Sequence, residues 1–420
     1  MIGEPATELN RRSLLKSIAG TVALAALSPS SEARAKAAME QSSSNSTADD
    51  QARELLKAFV FAEKDVDDLL LGQTSNYISR RYDPLLGYVF WNCRFSNGMD
   101  GSTCTYTYEP ASFGTAGARL MIANADKQCR VNSYGNSFTH GDQVNDGETW
   151  QEQLAAHLGE PIRNFGVGNY SVYQAYLRMQ REELNNPAKY LIVTIYDDDH
   201  RRSLQPLMPG WGIRPYLRVD ADKGTCEEHP NPCPTPRSLY QLCNLEWLYE
   251  NFKDYVHIDL EKYSSDGYEP KKQSEMFKQF YYGLTPATNS NTSALVRDAL
   301  FGSRYLIEKI EAFAGSTGRR VIYVLAYGTV RTRETLVNRQ RFDQSFVDFL
   351  RGRDLPFVDL LDLHAKDYTM FKISIDDYLK RYYVNGEGHY NPMGNAFMAH
   401  AIKERLLALL DPKPPTYLAC

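Results

Sequence analysis

The sequence predicts an α/β fold, a three-layer α/β/α sandwich built on a five-stranded parallel sheet, with one insertion. From about residue 127 onward, segments typical of strands and of helices alternate along the chain. The strands are predicted from continuous apolar runs, of which 190–196 is the clearest. Strands of this kind are covered by helices on both faces, whereas a half-solvated sheet shows alternating polar and apolar residues. Sites in such sheets form at the carboxyl ends of the strands.

The elements of the core follow in order from local patterns. The helix over 149–158 is amphipathic and ends at Gly159, and the last helix has Asn391 as N-cap followed by Pro392. These residue types are favoured at those positions. The strands are predicted over 129–133, 161–167, 190–196, 320–327 and 357–361. The helices are predicted over 149–158, 172–184, 296–313, 342–350 and 395–410.

Two segments interrupt the alternation and define the domain organisation. Residues 51–126 are predicted to form an N-terminal extension, a helix followed by a Tyr- and Gly-rich stretch. Residues 203–292 are aromatic, Pro-rich and Cys-containing, and are predicted as an insertion after the third strand. The core then comprises 127–202 and 293–412. Insertions at this point of a fold commonly shape a substrate cleft.

The first 35 residues are predicted to be a twin-arginine signal peptide. Arg11 and Arg12 precede a weakly apolar run over 17–27, and 33–35 form a small-x-small cleavage site. The apolar run is too short to span a bilayer, so no stable membrane anchor is expected. The alternative is an amphipathic N-terminal helix. Export predicts a periplasmic or secreted protein.

Residues 36–50 are predicted as a disordered linker, because they are polar and of low complexity.

The charge balance argues against nucleic-acid binding. The 420 residues carry 47 Lys and Arg against 52 Asp and Glu, a formal net charge of −5. A nucleic-acid surface needs a basic excess, and no such partner is expected.

Seven cysteines fit an oxidising compartment. Cys93 and Cys104 are a candidate pair that would close a small loop, and one pair is expected among Cys226, Cys233 and Cys243. The connectivity stays open, because spacing alone cannot fix it. A zinc site is the rival interpretation of the three clustered cysteines, but no second CxxC motif or nearby pair of histidines supports it.

Ser137 and His389 are the candidate chemical residues. Ser137 lies on a tight turn after a predicted strand, close to Gly135, and His389 lies on the loop that opens the last helix. A serine on a strand-to-helix turn and a histidine on a late loop are the nucleophile and the general base that a serine hydrolase needs. The backbone N–H of Ser137 would supply one oxyanion donor. An ordinary strand-end serine is the alternative interpretation of a Gly-x-Ser pattern.

The motif Tyr134-Gly135-Asn136-Ser137-Phe138-Thr139, followed by Gly147-Glu148-Thr149-Trp150, resembles the first block of the SGNH (GDSL-like) hydrolase superfamily. Asn136 stands where that superfamily usually has aspartate. The stretch Asn164-Phe165-Gly166-Val167-Gly168-Asn169-Tyr170 is similar to the second block, with Asn169 where many members have glycine. The resemblance covers roughly 120–200 and 295–410, and implies a sheet of flavodoxin-like order.

The resemblance also implies roles for individual residues. Ser137 would be the nucleophile and His389 the general base, and a backbone N–H of Gly168 or Asn169 would be the second oxyanion donor. Asp197 matches the family's third donor, an asparagine. Three interpretations stay open for it: burial protonates the carboxyl, its backbone lines the pocket, or the third donor is absent. Capping a helix or pairing with nearby arginines is the alternative.

The family's acid lies two or three residues before the histidine. Gly386 occupies the earlier position, so the Asp-x-x-His form is missing, and Glu387 occupies the later one. Glu387 is therefore predicted to orient the imidazole, with Asp376 and Asp377 as alternatives and a solvated loop charge as the competing interpretation. His140 is expected at the rim of the cleft.

These residues together predict an exported serine esterase that needs no cofactor and acts through an acyl-enzyme. A small-molecule or carbohydrate ester is the expected substrate, on the basis of location and analogy. Two alternatives remain: an O-acyltransferase on the same residues, and a non-catalytic binding module. The departures at Asn136, Asp197 and Gly386 favour the latter alternative. The oligomeric state is left open.

Overall fold

The computed structural model describes residues 48–73, 80–91, 93–96, 103–109, 117–208, 210–253 and 294–417. The predicted signal peptide, Cys420 and much of the predicted linker and insertion lie outside the described residues. Ala52–Cys420 form one compact unit, and the fold below is that of this unit. None of the described helices is long and apolar enough to cross a lipid bilayer.

The regular elements are numbered here in chain order. The strands are β1 Arg80–Asp83, β2 Gly87–Phe90, β3 Cys93–Ser96, β4 Thr103–Tyr106, β5 Val131–Tyr134, β6 Arg163–Asn164, β7 Tyr190–Tyr196, β8 Leu207–Met208, β9 Gly212–Ile213, β10 Tyr216–Asp220, β11 Thr225–His229, β12 Arg320–Ala326 and β13 Phe357–Asp359. The helices are α1 Ala48–Leu56, α2 Glu63–Leu71, α3 Ser137–His140, α4 Trp150–Leu158, α5 Val172–Asn185, α6 Asp199–Arg202, α7 Pro236–Leu239, α8 Ala294–Ser316, α9 Thr329–Asn338, α10 Gln344–Gly352, α11 Leu360–Tyr368, α12 Ile375–Tyr382 and α13 Pro392–Leu409.

Five parallel strands form the central sheet, in the order β13-β12-β7-β5-β6. Counted along the chain, the first of these strands lies between the second and the third, which is the flavodoxin-like order. The predicted fold class is confirmed. The order places β5 beside β7, and Tyr134 at the end of β5 pairs with Val193 within β7.

Helices cover both faces of this sheet. Successive side chains of a strand point to opposite faces, so apolar strands present an apolar surface on each face that helices must bury. Leu191, Val193 and Ile195 of β7 pack in one apolar cluster with α5 and α8. Tyr190 and Ile192 pack in a second cluster with α4 and α13. A strand that buries both faces in this way is predominantly apolar, and a long apolar run therefore predicts its position well.

The second strand of the sheet is much shorter than the predicted 161–167. It ends at Asn164, whose side-chain oxygen accepts a hydrogen bond of 2.9 Å from the N–H of Gly166 and so turns the chain. The last strand ends at Asp359, whose carboxylate caps α11 by accepting from the N–H of Leu361 at 3.2 Å. In both cases a polar side chain bonds the backbone locally and competes with strand pairing.

Among the described residues, four antiparallel hairpins accompany the central sheet. Two of them, β1-β2 and β3-β4, precede the core, and two more, β8-β9 and β10-β11, follow β7. A third apolar cluster joins Tyr88 and Phe90 of β2, Val167 and Tyr170 of the loop that follows β6, and Ile213 of β9. The extension and the start of the insertion therefore hold this loop against the sheet.

The cysteines do not form the predicted pair in the clustered segment. Cys226, Cys233 and Cys243 carry free thiols in the structure. The pairing of β3 with β4 sets Cys93 opposite Tyr106 and Cys104 opposite Phe95, so the two cysteines of the first candidate pair are not direct cross-strand partners. The pairing of Cys93 with Cys104 stays a prediction. In the clustered segment, closeness in sequence favoured a pair, but the distance between the side chains decides whether a disulfide forms.

Candidate active site

The turn that carries Ser137 begins directly at the end of β5. Asn136 caps it, since its side-chain oxygen accepts a 2.7 Å hydrogen bond from the N–H of Phe138. Gly135 is required in this turn: its φ is 149°, and an added Cβ would lie 2.2 Å from the Thr139 hydroxyl oxygen. The Ser137 side chain is left 5% exposed, at the carboxyl edge of the sheet.

Asn136 also bonds a buried carboxylate on a neighbouring turn. Its side-chain NH₂ donates a short hydrogen bond to the Asp199 carboxylate, which also accepts from the N–H of Tyr196 at 3.0 Å. Burial raises the pKa of Asp199 to about 7. An amide can donate to Asp199 and accept from Phe138 at once, whereas an ionised aspartate at 136 could only accept.

The loop that carries His389 lies on the turn that carries Ser137. The His389 carbonyl accepts a hydrogen bond of 2.9 Å from Val384, and Asn391 caps α13 through Gly394 at 2.9 Å. The ring of His389 lies against the ring of Phe138, with 5.3 Å between the centroids. The two predicted segments therefore meet, although no hydrogen bond joins the Ser137 hydroxyl to the imidazole among the described residues. Such bonds are often long in unliganded enzymes.

Gln143, six residues after Ser137, contacts the histidine loop directly. Its side-chain oxygen accepts from the backbone N–H of His389 at 2.8 Å and lies 3.0 Å from Nδ1 of the same residue. Burial lowers the pKa of His389, with the Asp142 carboxylate acting in the opposite direction. The imidazole is therefore neutral at pH 7, as a general base must be.

A buried chain of three polar side chains lies beside this contact. His140 faces Asp142 through Nδ1 in a short hydrogen bond, and its Nε2 lies 2.5 Å from the hydroxyl of Tyr108. Burial opposes ionisation of Asp142, but the contact with His140 outweighs it and holds the pKa of the carboxyl below its usual value. His140 is fully buried, so it lies beneath the site and not at the rim that the sequence suggests.

The turn after β6 packs against Asp142, in the buried chain described above. Asn169 takes the left-handed conformation, with a φ of 63°, which asparagine tolerates better than most residues. A Cβ on Gly168 would lie 2.9 Å from a carboxylate oxygen of Asp142, so only glycine fits. The Tyr88 hydroxyl and the Arg214 guanidinium hold the two carbonyls of this turn, at 2.9 and 2.8 Å.

Three backbone N–H groups of these turns are available to a ligand. Within the described part of the chain, no hydrogen bond runs from the backbone N–H of Ser137, Gly168 or Asn169 to a protein acceptor. Unpaired donors at an enclosed site are what an oxyanion hole requires, because they meet negative charge without reorganising.

Asp197 is held by the neighbouring strand. Its N–H donates to the carbonyl of Ala326 at 3.1 Å, and its Oδ2 accepts from the N–H of Gly328 at 3.0 Å. Burial raises the pKa of Asp197 to about 7, so a substantial part of this carboxyl is protonated near neutral pH.

The predicted acids lie apart from the imidazole contact. Glu387 is exposed, and its role as the orienting acid stays a prediction. Of the alternatives, Asp376 pairs with Arg333 and Asp377 accepts from the hydroxyl of Ser374 at 2.7 Å. Sequence reasoning missed Gln143 and Asp142; their only signal is that they follow Ser137 within the first block.

In the described ranges, no group of three or more His, Cys, Asp or Glu side chains is arranged to hold a metal ion. A cleft of about 670 Å³ opens beside the histidine loop. Polar side chains line much of it, among them Gln143, Asn145, Lys380 and Asn385.

Comparisons with known proteins give structural neighbours only. No family model matches the chain, and no curated protein matches it. A protein described as lipolytic and of the G-D-S-L family, from Desulfitobacterium hafniense DCB-2, is 13% identical, with 66% of this chain and 99% of that chain covered and a TM-score of 0.33.

Two acetylxylan esterases match this chain with comparable sequence identity and TM-score. Axe2 from Geobacillus stearothermophilus is 8% identical, with 66% of this chain and 94% of that chain covered and a TM-score of 0.36. AlAXEase is 13% identical, with 67% and 99% covered and a TM-score of 0.32. At such identities the chemistry of this chain has to be argued from its own side chains.

Proposed function

We propose that the protein is a serine esterase of SGNH type that hydrolyses an ester through an acyl-enzyme. The observation that carries this proposal is the packing of the His389 loop on the turn that presents Ser137 at the end of β5. Both residue types are those of nucleophilic acyl transfer. The position is the carboxyl edge of a parallel sheet, where sites in this class of fold form.

The reaction follows from these groups. The Ser137 hydroxyl attacks the ester carbonyl while Nε2 of His389 takes its proton. The N–H groups of Ser137 and of Gly168 or Asn169 receive the negative charge that develops on the carbonyl oxygen. The tetrahedral intermediate collapses, and His389 returns the proton to the leaving alcohol. Water, activated by the same imidazole, then releases the acid and regenerates Ser137.

Asp197 would contribute as a protonated acid. Its Oδ2 accepts from Gly328, so Oδ1 is the oxygen that would carry the proton and donate it in a hydrogen bond to the oxyanion. The raised pKa of Asp197, about 7, supports this protonated form. An ionised carboxylate at the same place would repel the oxyanion.

The proposed substrate is an O-acyl group on a carbohydrate or another small ester, met outside the cytoplasm after twin-arginine export. The cleft beside the histidine loop is lined by Gln143 but not by Ser137 or His389, so it would receive the part of the substrate away from the ester. Its polar lining supports a hydroxyl-rich group there, because amide and ammonium groups match sugar hydroxyls in hydrogen bonding. The twin arginines of the N-terminal segment support the location.

Hydrolysis of acetylated sugars and short-chain aryl esters by the purified protein tests the proposal. We expect turnover that Ser137→Ala abolishes and that Ser316→Ala, a change at an exposed serine of α8, leaves intact. Equal rates for wild type and Ser137→Ala would reject the enzyme and favour a non-catalytic binding module. Transfer of the acyl group to an added sugar, seen in the products, would identify an acyltransferase instead.

A further inference from the structure

The amide of Gln143 faces two nitrogens of one residue. Its oxygen lies 2.8 Å from the backbone nitrogen of His389 and 3.0 Å from Nδ1 of the ring. A backbone N–H can only donate, so the atom of Gln143 that faces it must be the carbonyl oxygen and not the NH₂ group. The backbone of His389 thus fixes which way round the amide lies.

The same oxygen fixes the tautomer of the imidazole. An oxygen 3.0 Å from Nδ1 accepts a hydrogen bond only if Nδ1 carries the proton. In the neutral ring, Nε2 is then unprotonated and has a lone pair. Nε2 is the nitrogen that must take the proton of the serine hydroxyl in a serine hydrolase.

The surrounding backbone is shaped to allow this contact. Gln143 has a positive φ of 71°, unusual for a residue with a side chain, and its N–H donates to the Tyr106 hydroxyl at 2.7 Å. A Cβ on Gly388 would lie 2.6 Å from the Gln143 amide oxygen, so the residue before His389 must lack one. Strain and close approach at one contact are features that a merely adventitious hydrogen bond does not require.

We propose that Gln143 is the positioning residue of His389, holding the imidazole in its reactive tautomer in the place that a carboxylate holds in most serine hydrolases. This inference rests on the proposed function. It transfers the orienting role from Glu387, which is exposed, to a neutral amide on the same turn as the nucleophile.

A neutral partner has a consequence for the pH dependence of catalysis. A carboxylate at Nδ1 would stabilise the imidazolium and raise the pKa of His389, and an amide does not. The charged groups that act on the ring are Asp142, which raises its pKa, and Arg202, which lowers it, while burial lowers it most. Replacing the amide by a carboxylate therefore raises the pH at which activity is half lost on the acid side.

The test is the pH profile of kcat/KM on an aryl ester for Gln143→Glu, Gln143→Leu and Glu387→Gln. We expect Gln143→Glu to retain activity at high pH and to shift the acid limb upward by about 1 pH unit. Gln143→Leu should lose roughly tenfold or more in kcat with KM little changed. Glu387→Gln should leave the profile unchanged. A shift in Glu387→Gln with none in the Gln143 variants would overturn the proposal.

A second readout does not depend on activity. The ring nitrogen chemical shifts of His389 in the full chain, assigned by their loss in His389→Ala, report the tautomer directly. We expect the Nδ1–H form in wild type and its loss in Gln143→Leu. An Nε2–H form in wild type would overturn the positioning role, even if Ser137-dependent hydrolysis were found. Absence of that hydrolysis with an Nδ1–H ring would reject the proposed function alone.

Discussion

The side-chain amide of Asn136 donates a hydrogen bond to the carboxylate of Asp199, and this bond joins the turn before the candidate nucleophile to the turn after β7. Asn136 simultaneously caps the turn through the N–H of Phe138. One amide side chain thus bonds both turns, as a donor to a buried carboxylate and as an acceptor from a backbone N–H. An aspartate at 136 would place two carboxylates in contact at this buried site, and the two cannot both ionise.

Asn136→Asp should therefore destabilise the protein by about 1–3 kcal/mol, because a donor to the buried Asp199 is lost and a like charge is added. The loss should be larger at pH 8 than at pH 5.5, since the pKa of Asp199 is about 7 and a proton shared at lower pH relieves the repulsion. Thermal unfolding at both pH values measures it. The double variant Asn136→Asp/Asp199→Asn should recover most of the loss; no recovery would show that the two residues are not coupled.

Much of the fold could be predicted from the sequence, because its determinants are local. The bounds of β7 match the predicted strand, since an apolar run buried on both faces leaves little choice of conformation. The length of β6 could not be predicted, because the side chain of Asn164 turns the chain early. Helix α11 was missed because it begins at the residue after β13, with no intervening loop to mark it.

The candidate site also contains residues that could be predicted from the sequence and residues that could not. The blocks around Ser137 and His389 are short motifs with recognisable residues, and the structure brings them together. Gln143 could not have been assigned, because its partner lies 246 residues away and the contact depends on how two loops pack. The pair expected among Cys226, Cys233 and Cys243 was wrong for a similar reason, since nearness in sequence does not fix the distance between side chains.

The acid limb of kcat/KM should lie below the ordinary histidine value of about pH 6.5. Burial lowers the pKa of His389, and a general base works only when it is unprotonated, at a pH above its pKa. Asp142→Asn removes the charge that raises this pKa, so the limb should move further down. Steady-state rates from pH 4.5 to 9 measure it, with near-UV circular dichroism to verify folding. A limb that moved upward in Asp142→Asn would contradict the electrostatic assignment.

Asp197→Asn should stabilise the protein at high pH. The folded-state pKa, about 7, is raised by burial above the usual aspartate value, so the folded form binds the proton more tightly than the unfolded form does. The contribution of this group to stability is full at low pH and is lost as the pH rises toward 7. The variant should therefore melt higher than wild type at pH 8 and close to it at pH 4.

The same variant tests the oxyanion role of Asp197. An asparagine side chain can donate at any pH, so kcat should be retained or increased above pH 7, where the aspartate is ionised. Asp197→Leu, which cannot donate, is the matched comparison. Similar kcat values for the Asn and Leu variants would show that the side chain at 197 makes no contribution to the oxyanion hole.

Gly388→Ala should reduce kcat more than it reduces stability. The added Cβ would lie 2.6 Å from the Gln143 amide oxygen and 3.0 Å from Cβ of Val384, so the amide must move away from the imidazole. Gly315→Ala is the control: it lies in α8 with nothing within 4 Å of the added atom. This control should stabilise the helix by roughly 0.5–1 kcal/mol without affecting kcat. Unchanged kcat in Gly388→Ala would mean that the amide contact is dispensable.

The most direct test of the central claim is covalent labelling with a fluorophosphonate, followed by peptide mass spectrometry. The account predicts a single phosphonylated peptide modified at Ser137, with labelling absent in Ser137→Ala and slowed at least about 100-fold in His389→Ala. Labelling of another serine, or an equal rate in the absence of the His389 imidazole, would contradict it.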